Sequence, residues 1–250
     1  MKVIIADKFV PVSNTPPDTF LHKIKFYGRM LLDLQILTIY DDLKKELPAF
    51  RGKVLDIGCG QSPYKFLLNK TPSTYCGIDT ANAKAFNYHN PDVILFDGQH
   101  ILFPDDTFDA MICTEVLEHV YNFQALVDEM YRVCKPGGRG IITIPFSARY
   151  HYIPNDYFRY TPAALEKIFS AFSQVSINPR GTDVQVIASK IIVLFARNII
   201  PDSIIKIIFL PIWIALLPIL LLVVMIAHIC RLLKLGSVDD PLGYTVRIRK

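Results

Sequence analysis

The sequence predicts an α/β sandwich built on a mostly parallel sheet, and three observations predict it. From residue 53 onward, short apolar runs alternate with helix-compatible stretches, the pattern of successive strand–helix–strand units. Residues 54–64, VLDIGCGQSPY, carry a buried strand into a Gly-Cys-Gly turn and then into helix-compatible residues. The last eight residues, GYTVRIRK, alternate apolar and polar positions and read as a final strand returning to the sheet, at an edge.

Taken in order, residues 1–19 hold three prolines and read as irregular. In residues 20–47, Phe20, Ile24, Tyr27, Leu31, Leu34, Leu37 and Leu43 recur at near-helical spacing, and Pro48 ends the segment. Strands are predicted at 53–57, 74–78, 93–96, 109–113, 139–144 and 173–177, with helices at 63–69, 82–87, 120–134 and 162–170. Thr161-Pro162 signposts the last of these as an N-cap followed by proline at the first helical position. Lys135-Pro136-Gly137-Gly138 reads as a helix stop and turn, with its lysine in solvent.

The 250 residues suit one sizeable domain with an appendage, or two small domains. A net charge of +4 is far from the dense Lys/Arg clustering of a nucleic-acid binder, so no nucleic-acid partner is expected. Cysteines 59, 76, 113, 134 and 230 are odd in number and form no CxxC. Reduced thiols are expected, with no disulfide framework and no metal site. The N-terminal MKVIIADKFVPVSN has too short an apolar run for a signal peptide.

In an open α/β sheet, ligands sit beyond the carboxyl ends of the strands. Four such ends carry chemistry: Gly58-Cys59-Gly60, Asp79, Asp97-Gly98 and Thr114-Glu115. An acid ending the second strand is placed to hold a ribose diol through two charge-assisted hydrogen bonds. A dinucleotide-binding turn wants GxGxxG, and GCGQSP lacks the last glycine.

The ordered segments VLDIGCG, YCGID, FDG, FDAMICTEVLEHV and YRVCKPGGRGIITIPF resemble the class I S-adenosylmethionine-dependent methyltransferases, of the type 11 group. The resemblance covers roughly residues 50–180, and 243–250 look like that family's last strand. It implies a Rossmann-like seven-stranded sheet, mostly parallel with the last strand antiparallel, and helices on both faces. It also implies S-adenosylmethionine as cofactor. Asp56, Gly58 and Gly60, with Cys59 between the glycines, are then expected on the methionine part of the cofactor. Asp79, followed by Thr80, is expected on the ribose, Asp97 with Gly98 on the adenine edge, and Thr114 and Glu115 beside the sulfonium. Gln61-Ser62-Pro63 departs from the usual third glycine region and stiffens the loop.

The acceptor side falls in HYIPNDYFRYT, residues 151–161, a stretch similar to one found in many type 11 members. His151 is the first candidate for a general base and Asp156 the second, since an oxygen acceptor profits from a base with pKa near neutrality. The alternative is a loop that packs over the cofactor with Arg159 paired to an acid. Glu118-His119 have the residue types of a catalytic pair, but the favoured reading is that they open the helix at 120, where an acid suits the dipole.

Mean hydropathy is +0.30, and the excess is local. Residues 207–230 carry no Asp, Glu, Lys or Arg. As one helix they reach about 36 Å against a hydrocarbon core of about 30 Å. Pro211 and Pro218 interrupt the run, and Lys190 and Arg197 make the preceding segment a poor second span. A helical hairpin embedded in one leaflet or lying at the interface is therefore expected. A true span with the tail opposite, or a buried lid or dimer contact, stand as alternatives.

The predicted organisation is an N-terminal segment and helix at 1–49, a core at 50–183, an apolar helical insertion at 184–236 and a last strand in 237–250. The expected protein is a methyltransferase on the cytoplasmic face of a membrane. Residues 184–234 contact the bilayer, and the acceptor is a lipid, a quinone or a lipid-linked glycan. A soluble small-molecule methyltransferase with an apolar lid and a non-catalytic membrane scaffold are the alternatives.

Overall fold

The computed structural model describes residues 14–68, 73–81, 90–152 and 155–250. Seven strands form one sheet: β1 Gly52–Ile57, β2 Ser73–Thr80, β3 Ile94–Phe96, β4 Phe108–Thr114, β5 Cys134–Pro145, β6 Gln174–Arg180 and β7 Gly243–Arg249. Their order is β3-β2-β1-β4-β5-β7-β6, and β7 runs antiparallel to both of its neighbours. The terminal GYTVRIR segment therefore does rejoin the sheet, but between β5 and β6 rather than at an edge.

Strand alternation sorts the core into two layers. Leu55 and Ile57 of β1, Met111 and Cys113 of β4 and Ile142 and Ile144 of β5 face α3 (Phe123–Val133) and α4 (Pro162–Ile168). Val54, Ala110, Ile112 and Ile141 point the other way, onto α1 (Phe20–Arg29) and α2 (Leu34–Glu46). Leu55, Ile57, Met111 and Ile142 are all fully buried, each worth about 1.5–3 kcal/mol relative to exposure.

The single helix predicted over 20–47 is two helices. The chain turns at residues 30–33, and Asp33 starts α2 by accepting from the Ile36 N–H while pairing with Arg29 at 2.7 Å. The helix predicted at 63–69 is one 3₁₀ turn, Lys65–Leu68, and the one predicted at 82–87 lies outside the described residues. The helix predicted from 120 begins at Phe123, behind a 3₁₀ turn at Leu117–His119. Lys135 to Gly138 bulge out of the β4–β5 ladder, and the lysine pairs with Asp109 at 2.7 Å.

Three helices stand between β6 and β7: α5 Asp183–Ile199, α6 Ile204–Ala215 and α7 Leu217–Leu233. The apolar run is thus broken at Leu216, where α6 and α7 meet with a bend of 58°. Pro211 is accommodated inside α6 and Pro218 in the first turn of α7, where its missing N–H costs nothing. Among the described residues no single helix is long and apolar enough to cross a membrane; the bent pair passes that test by length and composition. α7 is tied to the N-terminal helices: His228 Nε2 donates to the Leu31 carbonyl at 2.9 Å, and Arg231 pairs with Asp41 at 2.5 Å. α6 buries none of its residues; Ile204, Ile208 and Ile212 are 77%, 66% and 53% exposed.

Candidate active site

A cavity of about 540 Å³ opens beyond the carboxyl ends of β1, β2, β3 and β4. Asp56, Gly58, Cys59, Gly60, Asp79, Thr80, Asp97, Gly98, Thr114 and Glu115 all border it. Parallel strands ending in step bring these residues together across 60 positions of sequence.

The glycine turn forms because β1 ends against β2. Gly58 and Cys59 donate their N–H groups to the Ile78 carbonyl, at 2.9 and 3.2 Å. Gly58 has φ +66°, and a Cβ there would sit 2.4 Å from Val116 Cγ2. Only glycine lets Val116 close that side of the turn. Gly60 donates to Asp79 Oδ2 at 2.8 Å, and Thr80 N–H donates to Asp79 Oδ1 at 2.7 Å. Burial raises the Asp79 carboxyl above its usual range, against those two bonds.

Asp56 is buried under the turn. The Tyr75 hydroxyl donates to its Oδ2 at 2.6 Å and lies 2.8 Å from Ser62 Oγ. Burial pushes the Asp56 carboxyl up to about 7; the Tyr75 bond opposes this and the Asp79 charge adds to it. The same burial holds the Cys59 thiol far above its usual range, so Cys59 packs rather than reacts. Asp97 is exposed instead. The His100 and Gln99 N–H groups and His100 Nδ1 all donate to it at 2.7 Å and hold it at about 2.

Glu115, at φ +53°, turns its carboxylate outward from the β4 end onto Arg180 Nη2 at 2.7 Å. That guanidinium is fully buried and also reaches Thr38 Oγ1 at 3.1 Å and the Ile144 carbonyl at 3.3 Å. Glu115 is therefore a wall residue whose charge is already paired.

His151 and Asp156 do not line the cavity. Arg159 grips Asp156 at 2.6 and 2.8 Å, and the His151 N–H donates to the same carboxylate at 2.9 Å. Burial works against the Asp156 charge, yet these bonds hold its carboxyl below the usual range. The Asp156–Arg159 clamp braces the loop after β5. From that loop, Tyr152, Asn155 and Tyr157 reach the cavity wall.

The sequence did not single out His119 as a wall residue, but it lines the cavity beside Val116 and Val120. Its Nδ1 meets the Asn155 carbonyl at 2.6 Å, and burial lowers its ring to about 4, so it is neutral at pH 7. The N-terminal segment also contributes Asn14, Arg29 and Ile36, residues that carry no motif.

Residues 55–142 match the family model of the methyltransferase domain. The sheet order and the walls above agree with that match. Over residues 55–142 the chain is similar to the methyltransferase domain family. Rat mitochondrial ubiquinone biosynthesis O-methyltransferase is 27% identical over 187 residues, 64% of this chain and 54% of that protein. The fatty-acid O-methyltransferase of Mycolicibacterium smegmatis is 33% identical over 117 residues, 43% of this chain and 42% of that protein. The chain spans about half the length of the curated relatives it matches.

Among solved structures, an S-adenosylmethionine-dependent methyltransferase from Archaeoglobus fulgidus superposes with TM-score 0.52. It is 19% identical, over 92% of this chain and 99% of that one. A possible histamine N-methyltransferase from Thermotoga maritima gives 0.54 at 14% identity, over 92% and 98%. At these identities the likeness is one of fold.

S-adenosylmethionine is the cofactor of this class I family, and the walls fit it chemically. The turn at Gly58 admits no side chain, so backbone borders the ligand directly. Asp56, buried, and Asp79, half-buried, are wall acceptors that suit a ligand rich in donors, an ammonium and two ribose hydroxyls.

Proposed function

We propose that the chain transfers a methyl group from S-adenosylmethionine to the oxygen of a lipid, quinone or lipid-linked glycan, at the cytoplasmic face of a membrane. The observation that carries the transferase reading is the cavity itself: a glycine turn braced by Asp79, with Asp56 beneath it and Asp97 across it. On this reading Asp56, Gly58, Cys59 and Gly60 hold the amino-acid end, Asp79 and Thr80 the ribose, and Asp97 and Gly98 the base. Thr114 and Glu115 lie toward the sulfur. The cofactor supplies a methyl group already activated on a cationic sulfur. The chain's own task is then to align the acceptor and exclude water. Tyr152, Tyr157 and His119 border the cavity on the side of the loop after β5.

The acceptor class rests on two supports. Ubiquinone, fatty-acid and demethylmenaquinone methyltransferases stand among the relatives, all named for lipid-like acceptors. The exposed aliphatic surface of α6 and α7 suits insertion into one leaflet. Because β7 returns to the sheet, α5 to α7 begin and end on the same side, which suits an embedded hairpin better than one crossing.

Two measurements test the proposal. Calorimetric titration of the detergent-purified chain with S-adenosylhomocysteine is expected to give micromolar binding. Absence of binding by folded protein rejects the transferase reading and advances a scaffold role. Flotation with phosphatidylcholine–phosphatidylglycerol vesicles is expected to carry wild type upward, with Ile208→Glu/Ile212→Glu left at the bottom. Wild type remaining at the bottom favours a soluble enzyme whose apolar helices form a lid or a dimer contact.

A further inference from the structure

The side chain of Glu118 is completely buried, and neither carboxylate oxygen has a hydrogen-bond partner among the described residues. His119 Nε2, 3.5 Å from Glu118 Oε1, is likewise without one. His151 packs edge-on against His119 with ring centroids 4.9 Å apart. One ligand atom from each of Glu118, His119 and His151 falls within 4.8 Å of the others.

A buried, unpaired carboxylate costs several kcal/mol unless something offsets it. The nearby cations are committed elsewhere: Arg159 grips Asp156 and Arg180 grips Glu115. His119 has its Nδ1 against the Asn155 carbonyl at 2.6 Å, and His151 Nδ1 lies 2.9 Å from the Arg149 carbonyl and 3.0 Å from Asp156 Oδ2. On His119 that contact puts the proton on Nδ1 and leaves Nε2, which faces Glu118, as a lone-pair donor. It is how protein surroundings orient metal-ligating histidines.

We propose that Glu118, His119 and His151 hold a divalent first-row metal ion of the zinc type, with its open coordination positions facing the cavity and available to an acceptor oxygen. The donor set, two imidazoles and one carboxylate, is that of catalytic rather than structural zinc, which keeps a position free. Bonds of about 2.0–2.2 Å bring tetrahedral ligand atoms to about 3.3 Å apart, so side-chain rotation of about an ångström closes the site. His119 is itself part of the cavity wall, so an ion on its ring borders that space. The ion offsets the Glu118 charge and gives an acceptor oxygen a fixed position. That last role rests on the transferase reading above; the site itself does not.

The test uses the full chain in detergent, stripped with a chelator and titrated with Zn²⁺ and then Co²⁺. One ion per chain is expected, with visible d–d bands from Co²⁺ that shift when acetohydroxamate, a bidentate oxygen ligand, is added. Loss of an outer-shell partner weakens metal binding about 10–100-fold, so Glu118→Gln and His151→Ala, each losing a direct ligand, are expected to weaken it beyond about 100-fold. His151 lies on a loop, so its variant serves if Glu118→Gln does not fold. His22→Ala and His100→Ala, which remove the exposed His–Asp pairs, are expected to leave binding unchanged.

No binding by wild type overturns the proposal. So does binding that survives both ligand variants or vanishes with a surface histidine. Unmoved Co²⁺ bands overturn the open positions. S-adenosylhomocysteine binding by the metal-free protein separates the two readings. If it persists while no metal binds, only the metal site falls. If metal binds and it does not, the transferase reading falls.

Discussion

The Gly60 N–H donates to Asp79 Oδ2 at 2.8 Å, so the acid that ends β2 also fixes the turn that ends β1. One carboxylate thereby serves two neighbours, because its other oxygen takes the Thr80 N–H at 2.7 Å. Asp79→Ala removes both the brace and the proposed acceptor for the ribose. Hydrogen bonds to a charged group are worth about 1.5–3 kcal/mol each. S-adenosylhomocysteine affinity is expected to fall at least about 100-fold by calorimetry. Asp79→Asn is expected to fall less, because an amide oxygen still accepts from Gly60.

Gly58 and Val116 are pressed together from different strand ends. Gly58→Ala puts a Cβ 2.4 Å from Val116 Cγ2 at φ +66°. The expected loss is about 1–3 kcal/mol of stability in urea unfolding, from left-handed strain and overpacking. Gly58→Ala/Val116→Ala relieves the clash but not the backbone strain, so it is expected to recover part of the stability lost. Full recovery would mean that φ carries none of the cost.

Asp56 gives the site a pH dependence with a defined sign. Its folded pKa, about 7, stands above the unfolded value near 4, so folding favours its protonated form. That contribution to stability is present below about pH 4 and lost as pH rises to about 7. Ligand binding runs the other way, because a cationic amino group prefers the carboxylate. S-adenosylhomocysteine affinity is expected to rise about tenfold from pH 6 to pH 8 and then level off. Asp56→Asn is expected to bind weakly with no such slope. A wild-type profile as flat as the variant's would remove Asp56 from the site.

The turn and the strand-end acids were legible because each rests on a local pattern: an apolar run, then a glycine or an acid. The break at residues 30–33 was not, because apolar residues keep helical spacing across it while Asp33 caps a new helix. His119 was set aside as part of a helix start for a different reason. Locally, Glu118-His119 suits a helix start, but the helix begins at Phe123. What brings the ring into the wall is the carbonyl of Asn155, 36 residues on, and no spacing rule carries that contact. His151 and Asp156 sit in the segment the sequence indicated. The Arg159 clamp turns Asp156 away from the cavity, and only the folded loop settles which of two bonding partners an acid takes. The break of the apolar run at Leu216 was signalled by its two prolines, whereas the tie of α7 to the α1–α2 turn and to α2 through His228 and Arg231 was not.

Arg180 reaches from β6 to Glu115 at the β4 end, and the pair tests whether Glu115 serves the fold or the ligand. The guanidinium is fully buried and shares its other bonds with Thr38 and the Ile144 carbonyl. Glu115→Gln strips that cation of its counter-charge, and removing one partner of a buried pair costs about 3–5 kcal/mol. Arg180→Met is expected to cost a similar amount, because it leaves Glu115 and Thr38 without their donor. The double variant is expected to lose clearly less than the sum, since neither charge is then stranded. If Glu115 also holds the ligand, the double variant, though stable, binds S-adenosylhomocysteine more weakly than wild type. If Glu115 acts only through Arg180, urea unfolding registers the coupling while the affinity of the folded double variant stays at the wild-type value.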